Sequence, residues 1–186
     1  MTDNMNETLK NIFSRYSCRA FKDEMPPDDI LNQITDAALA APSGMNAMPW
    51  HVTLVKNKGI IDGFERDAME VLKANPDKSI YDRIASRGGK IYYNAPAMVM
   101  ISIRDGGELD CGILCQNVVL AAEALGLGSL ICGMAAFPFS GEKGGEYVKK
   151  FAFPDGYKFG VAVLLGYPDA VKEPHEPDRS KLSVVQ

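Results

Sequence analysis

Asp110-Cys-Gly-Ile-Leu-Cys-Gln-Asn-Val-Val-Leu-Ala-Ala-Glu-Ala-Leu125 is apolar on almost every side when wound at helical periodicity, and Gly126 supplies a stop signal. It reads as one long helix in the middle of the chain, and helices of this kind are buried. Two helices precede it and the first strand. Asn6 to Phe13 sets Leu9, Ile12 and Phe13 at helical spacing; Met25-Pro26-Pro27-Asp28-Asp29 opens a second helix, carried through Ile30, Leu31, Ile34, Ala37, Ala38 and Ala41 and ended by Pro42. Trp50 to Val55 alternates apolar and polar residues, as a half-buried strand does. Ile60 to Ala74 reads as a helix, Asp82 to Gly88 as a short turn or helix, and Met98 to Ile103 as a central strand. Downstream, Ser129 to Cys132 is a short strand or loop, Gly145 to Phe151 a helix ended near Pro154, and Phe159 to Leu165 a final buried strand. Helices and strands alternate only in part. The pattern therefore predicts an α+β layered domain rather than a doubly wound sheet. The 186 residues form one domain, residues 1–186, whose polar tail from Asp169 is extended.

Composition narrows the classes. Hydrophobic content of 46% and charged content of 24% are ordinary for a soluble globular protein, and a net charge of −4 argues against a nucleic-acid partner. The longest apolar run, Ala95 to Ile103, is strand-sized, well short of the roughly 18 residues of a membrane span. The start from Met1 to Glu7 is polar and unlike a secretory leader, so Cys18, Cys111, Cys115 and Cys132 are expected as free thiols in a cytoplasmic protein. Cys111 and Cys115 have no second pair at metal spacing, and His51 and His175 complete no ligand set, so no metal is expected. Gly126-x-Gly128 has Ile131 where a dinucleotide fingerprint needs glycine. Gly141 to Gly145 lacks the spacing of a P-loop, and there is no Gly-x-Ser-x-Gly elbow.

Four segments could carry chemistry. Arg15-x-Ser17-x-Arg19 puts three donors on one side of an extended segment, suited to an anion; it is equally a solvated basic loop. Arg179-x-Lys181 follows the same logic, or is a solubilising end. Pro42-Ser43-Gly44-Met45-Asn46 fixes a tight path after a helix and otherwise reads as an ordinary connection to a strand. In Leu130-Ile-Cys132-Gly133-Met134, glycine allows close approach of the backbone to a ligand, and Cys132 reads as a packing residue rather than a nucleophile.

Taken in order, Arg15-Tyr-Ser17-Cys-Arg19-Ala-Phe21, Ala41-Pro-Ser-Gly-Met-Asn46, Pro49-Trp50, Gln116-Asn117 with Leu125-Gly-Leu-Gly128, and Arg179-Ser-Lys181 resemble the nitroreductase family, from about Leu9 to Val185. The resemblance implies a layered α/β/α domain with a central, mostly antiparallel sheet flanked by helices, and FMN in the interface of a homodimer. It implies that Arg15 and Ser17, within a segment that includes Tyr16, hold the phosphate, while Arg19 reaches towards the ribityl chain and the pyrimidine end of the flavin. Arg179 and Lys181 would close over the phosphate, with the 169–186 tail packing on the partner subunit. Pro42, Ser43, Gly44, Met45 and Asn46 would come from the partner to the ring, Asn46 making the best-supported contact. A backbone N–H near Cys132 and Gly133 would meet flavin N5. The Asp110–Leu125 helix would lie at the dimer interface, with Ala121, Ala122 and Ala124 allowing close helix approach. The implied activity is a flavin oxidoreductase. It takes hydride from NADH or NADPH and reduces a small nitroaromatic or quinone-like acceptor in a ping-pong scheme through N5, with no catalytic side chain. A flavin-dependent dehalogenase, a flavin-degrading relative or an FMN-binding redox sensor without turnover are the alternatives. One departure stands out: Met48 occupies a place where the family often has glutamine, and it packs in the core or lines the pocket.

Overall fold

In the computed structural model, which describes residues 5–186, the apolar runs pair as four strands: β1 (Trp50–Val55), β2 (Ala97–Ile103), β3 (Gly128–Cys132) and β4 (Lys158–Gly166). Residues 1–4, part of the polar start considered above, lie outside the described residues. The strand order is β1-β2-β4-β3 and every neighbouring pair is antiparallel. The helices are α1 (Glu7–Ser14), α2 (Asp28–Leu39), α3 (Lys58–Ala74), α4 (Ser79–Ala85), α5 (Glu108–Ala124) and α6 (Gly144–Lys150).

Every residue of β2 is buried. Alternation sorts its side chains into two cores. Ala97, Val99, Ile101 and Ile103 join Leu31, Ile34 and Ala38 of α2 and Leu114, Val118 and Val119 of α5. Met98 and Met100 join Phe64, Ala68 and Leu72 of α3 and Tyr147 of α6. Helices therefore cover both faces of an antiparallel sheet, which is the layered α+β arrangement expected.

α5 starts two residues earlier than the sequence pattern indicates, at Glu108 after the Gly107 cap. It ends as expected: Gly126 takes φ +76°, and the Leu127 N–H reaches back to the Ala122 carbonyl at 2.8 Å. The single chain does not bury this helix all round. Cys111, Leu114, Cys115, Val118, Val119 and Ala122 face the sheet, whereas Gly112, Gln116 and Ala124 are exposed. Ala122 is thus a core residue and is not free for a second helix; Ala124 and the half-buried Ala121 are. The same incompleteness marks α1, which has no buried residue and leaves Leu9, Ile12 and Phe13 each more than two-fifths exposed. α1 thus leaves an apolar stripe open, and α5 leaves one side of small and polar residues uncovered.

A polar lock ties α3 to α6 within the aromatic core. Tyr147, edge-on to the fully buried Phe64 at 4.6 Å, donates to Asp67 Oδ2 at 2.7 Å, and Lys143 donates to Oδ1 at 2.9 Å. Burial pushes the Asp67 carboxyl up. The two donors, with the charges of Lys143 and Arg66, outweigh it and hold the group below its ordinary value. A carboxyl lowered in the folded state contributes stability above its unfolded pKa, and that stability is lost as pH falls through the folded value. Tyr147→Phe is expected to cost about 0.5–1.5 kcal/mol at neutral pH, and the difference from wild type should shrink below about pH 4. Melting curves at both pH values check this; an equal gap at both would remove Asp67 from the explanation.

Candidate functional site

At the end of α1 the chain straightens, with Arg15 at ψ 133°. Ser17 forms a parallel bridge to Ser129 of β3, and the Cys18 N–H donates to the Ser129 carbonyl at 2.9 Å. Cys18 points inward and is fully buried, against Gly128, where a Cβ would lie 2.8 Å from the Cys18 sulfur. With Cys18 inward, its neighbours on either side turn outward. Arg15, Tyr16, Ser17 and Arg19 line one pocket of about 380 Å³, as the alternation in sequence predicts for the two arginines and the serine. The other wall is the tail from Lys172 to Glu176. Tyr16 helps hold that wall, donating its hydroxyl to the Ala170 carbonyl at 2.9 Å.

Arg15, Arg19 and Lys172 bring positive charge to this pocket, against Glu173 and Glu176, and the His175 side chain also lines it. Guanidinium forks and a hydroxyl suit a terminal phosphate, so the donor set fits the anionic end of a mononucleotide. Arg179 and Lys181 lie elsewhere. They form an exposed turn capped by Asp178, whose Oδ1 accepts from the Ser180 N–H at 3.0 Å, and neither lines the pocket of this chain. Within one chain, Lys172 and His175 of the tail line the pocket. The tail has no periodicity to mark them.

Pro42 to Met48 forms a second, separate cluster. Met45 and Asn46 in its turn, Gly44–Asn46, and Met48 just beyond it take φ 50°, 55° and 44°, the left-handed region that side chains other than glycine seldom enter. Ser43 braces it, its hydroxyl accepting from the Met48 N–H at 2.9 Å. Met45 is fully exposed and Met48 half exposed, so Met48 is not a core residue. The loop runs into β1, at one edge of the sheet, whereas Ser17 lies on β3 at the other. The registers also put Trp50 and Ser129 towards opposite strand ends. Strand spacing and rise place these two positions roughly 25 Å apart. Within one chain the two clusters do not meet.

β3 leads from the first cluster to Cys132 and Gly133. Burial pushes the Cys132 thiol up to about 11, with the Arg19 charge acting against it. The thiol is protonated at neutral pH and packs in the core, so it is no nucleophile. Gly133 follows directly, and a Cβ there would meet nothing, so the backbone is open to close approach. All four cysteines are free and buried, and no group of side chains among the described residues could hold a metal ion. No helix among them is long and apolar enough to cross a membrane.

Comparisons with known proteins agree with this fold. The sequence profile of the nitroreductase family matches residues 12–167. A crystal structure of a nitroreductase with bound FMN from Desulfitobacterium hafniense superimposes with a TM-score of 0.95 at 45% identity, covering 98% of this chain and all of that one. A Methanothermobacter thermautotrophicus protein with the provisional name NADH dehydrogenase/NAD(P)H nitroreductase is 28% identical over 95% of this chain and 86% of its own length. An iodotyrosine deiodinase from Thermotoga neapolitana is 26% identical over 85% of this chain and 87% of its own.

Proposed function

The chain belongs to the nitroreductase family, and we propose that it is a homodimeric, cytoplasmic, FMN-dependent oxidoreductase that uses NADH or NADPH to reduce a small nitroaromatic or quinone-like acceptor. One observation carries the reading: the two clusters that suit a flavin, Arg15-x-Ser17-x-Arg19 and Pro42 to Asn46, sit at opposite edges of one sheet. Two copies related by a two-fold axis bring one cluster of each chain together, twice. The open apolar stripe on α1 and the uncovered side of α5 supply surface for that contact.

When bound, FMN supplies a two-electron carrier between the nicotinamide and the acceptor. The protein's own part is to bind and orient. Arg15, Arg19 and Lys172, which line the pocket, would neutralise the phosphate, and the Ser17 hydroxyl would donate to it. Arg179 and Lys181 reach a phosphate from their exposed turn only by closing with the tail. The partner's Ser43 to Asn46 loop approaches the ring already folded. Backbone N–H groups at Cys132 and Gly133 suit ring N5 because they stay in place whatever its protonation state. Arg19 places positive charge towards the pyrimidine end, where negative charge grows on reduction. On this reading no side chain need act as an acid or base.

The test is direct. The purified protein is expected to be yellow and to release FMN on heating. Chromatography finding FAD, or no flavin after reconstitution, would falsify the proposal. The likeness to the deiodinase supports a second reading, reductive dehalogenation on the same fold. Faster turnover of an iodinated phenol than of any quinone would favour it.

A further inference from the structure

We propose that Asp110 is a positioning residue for the flavin-facing loop, fixing the Ser43–Met48 turn to the start of α5; this rests on the FMN reading above. The Gly44 N–H donates to Asp110 Oδ1 at 3.1 Å, across 66 residues of sequence. The loop's other hydrogen bonds are internal. Asn46 N–H reaches the Ser43 carbonyl at 3.0 Å, Ala47 N–H the Gly44 carbonyl at 3.0 Å, and Met48 N–H the Ser43 hydroxyl at 2.9 Å. Among the described residues, the Asp110 bond is the one that ties this turn to the body of the protein.

The turn needs such a tie. Met45, Asn46 and Met48 all sit in left-handed backbone. Conformations of this sort persist only when the surroundings over-determine them. Exposure of Pro42 and of residues Gly44 to Met48 means that packing supplies little of that determination. Asp110 is well placed to supply it. It lies in the first turn of α5, where free backbone N–H groups and the helix dipole favour a carboxylate. The rest of α5 is set in the core by Leu114, Val118 and Val119, so the anchor does not move. The same helix carries the uncovered side assigned to the partner. Asp110 therefore places the loop in register with the dimer face, and through it with the ring held by the other chain.

The experiment compares Asp110→Ala with Asp110→Asn in the full-length protein, by FMN titration, flavin absorption spectrum, anaerobic reduction at saturating FMN, and amide exchange at Gly44. Asp110→Ala should remain dimeric, raise the FMN Kd about tenfold and speed exchange at Gly44. It should also alter the flavin band and slow reduction. Asp110→Asn keeps an acceptor at Oδ1 and should stay within about twofold of wild type throughout. If Asp110→Ala does not fold, Asp110→Ser replaces it, since its hydroxyl falls short of Gly44 and still suits a helix start. Wild-type FMN affinity and reduction rate in the truncated variant, even with a lowered Tm, would make Asp110 a helix-start residue only and overturn the proposal. So would Asp110→Asn behaving like Asp110→Ala. A wild-type protein that binds no flavin would instead overturn the functional reading, while exchange at Gly44 would still report on the tether.

Discussion

Changing Leu9 and Ile12 together to aspartate is expected to give a folded monomer that no longer binds FMN usefully. Neither side chain is buried in its own chain, at 43% and 42% exposure, so the substitutions remove nothing from the core. Covering the exposed part of four such side chains across a symmetric contact contributes on the order of 4 kcal/mol, or about a thousandfold in dimer affinity. Four buried carboxylates would add a further desolvation penalty. Arg15, Ser17 and Arg19 remain in place, yet each flavin would lack the loop from the second chain. Light scattering and flavin titration read both effects, with circular dichroism as the check on folding. A monomeric variant that holds FMN as tightly as wild type would refute the two-chain site.

Arg15→Ala should weaken FMN binding by roughly ten- to a hundredfold, because it deletes a charge-assisted bond of about 1.5–3 kcal/mol. With FMN saturating, the rate of reduction by the nicotinamide should hardly change, since Arg15 serves the phosphate end. Asn46→Ala is expected to do the reverse, with a modest loss of affinity and a changed reduction rate or flavin potential. Titration and anaerobic stopped-flow of both variants decide the matter. Unchanged affinity in Arg15→Ala would take the phosphate away from this pocket. Identical behaviour of the two variants at saturating FMN would abolish the division between phosphate and ring.

Much of this was legible from sequence because it is local or periodic. β2 and β4 announced themselves through runs of β-formers. Arg15-x-Ser17-x-Arg19 was readable as one outward face because alternation is a property of any extended segment, and Cys18 obeys it by pointing inward. Other features were hidden for equally physical reasons. A helix apolar all round carries no sign of which side faces home, so Ala122 and Ala124 look alike until α5 is docked. Lys172 and His175 lie in an aperiodic tail, where nothing in the spacing says which side chains reach the pocket. The bond from Gly44 to Asp110 joins residues that only the assembled fold makes neighbours.

The bridge between Ser17 and Ser129 has a consequence for the life of the protein without its cofactor. β3 is an outer strand, and the segment from Ser17 to Cys18 is what lies along its free side. An uncovered outer strand is a template on which other chains pair and aggregate. The segment assigned to the phosphate under the proposed function would therefore also act as a guard rail for that strand. Its own anchors are the buried Cys18 and the bond to Ser129, and on that reading flavin would add to them, so the apoprotein would be the form more open to pairing with other chains.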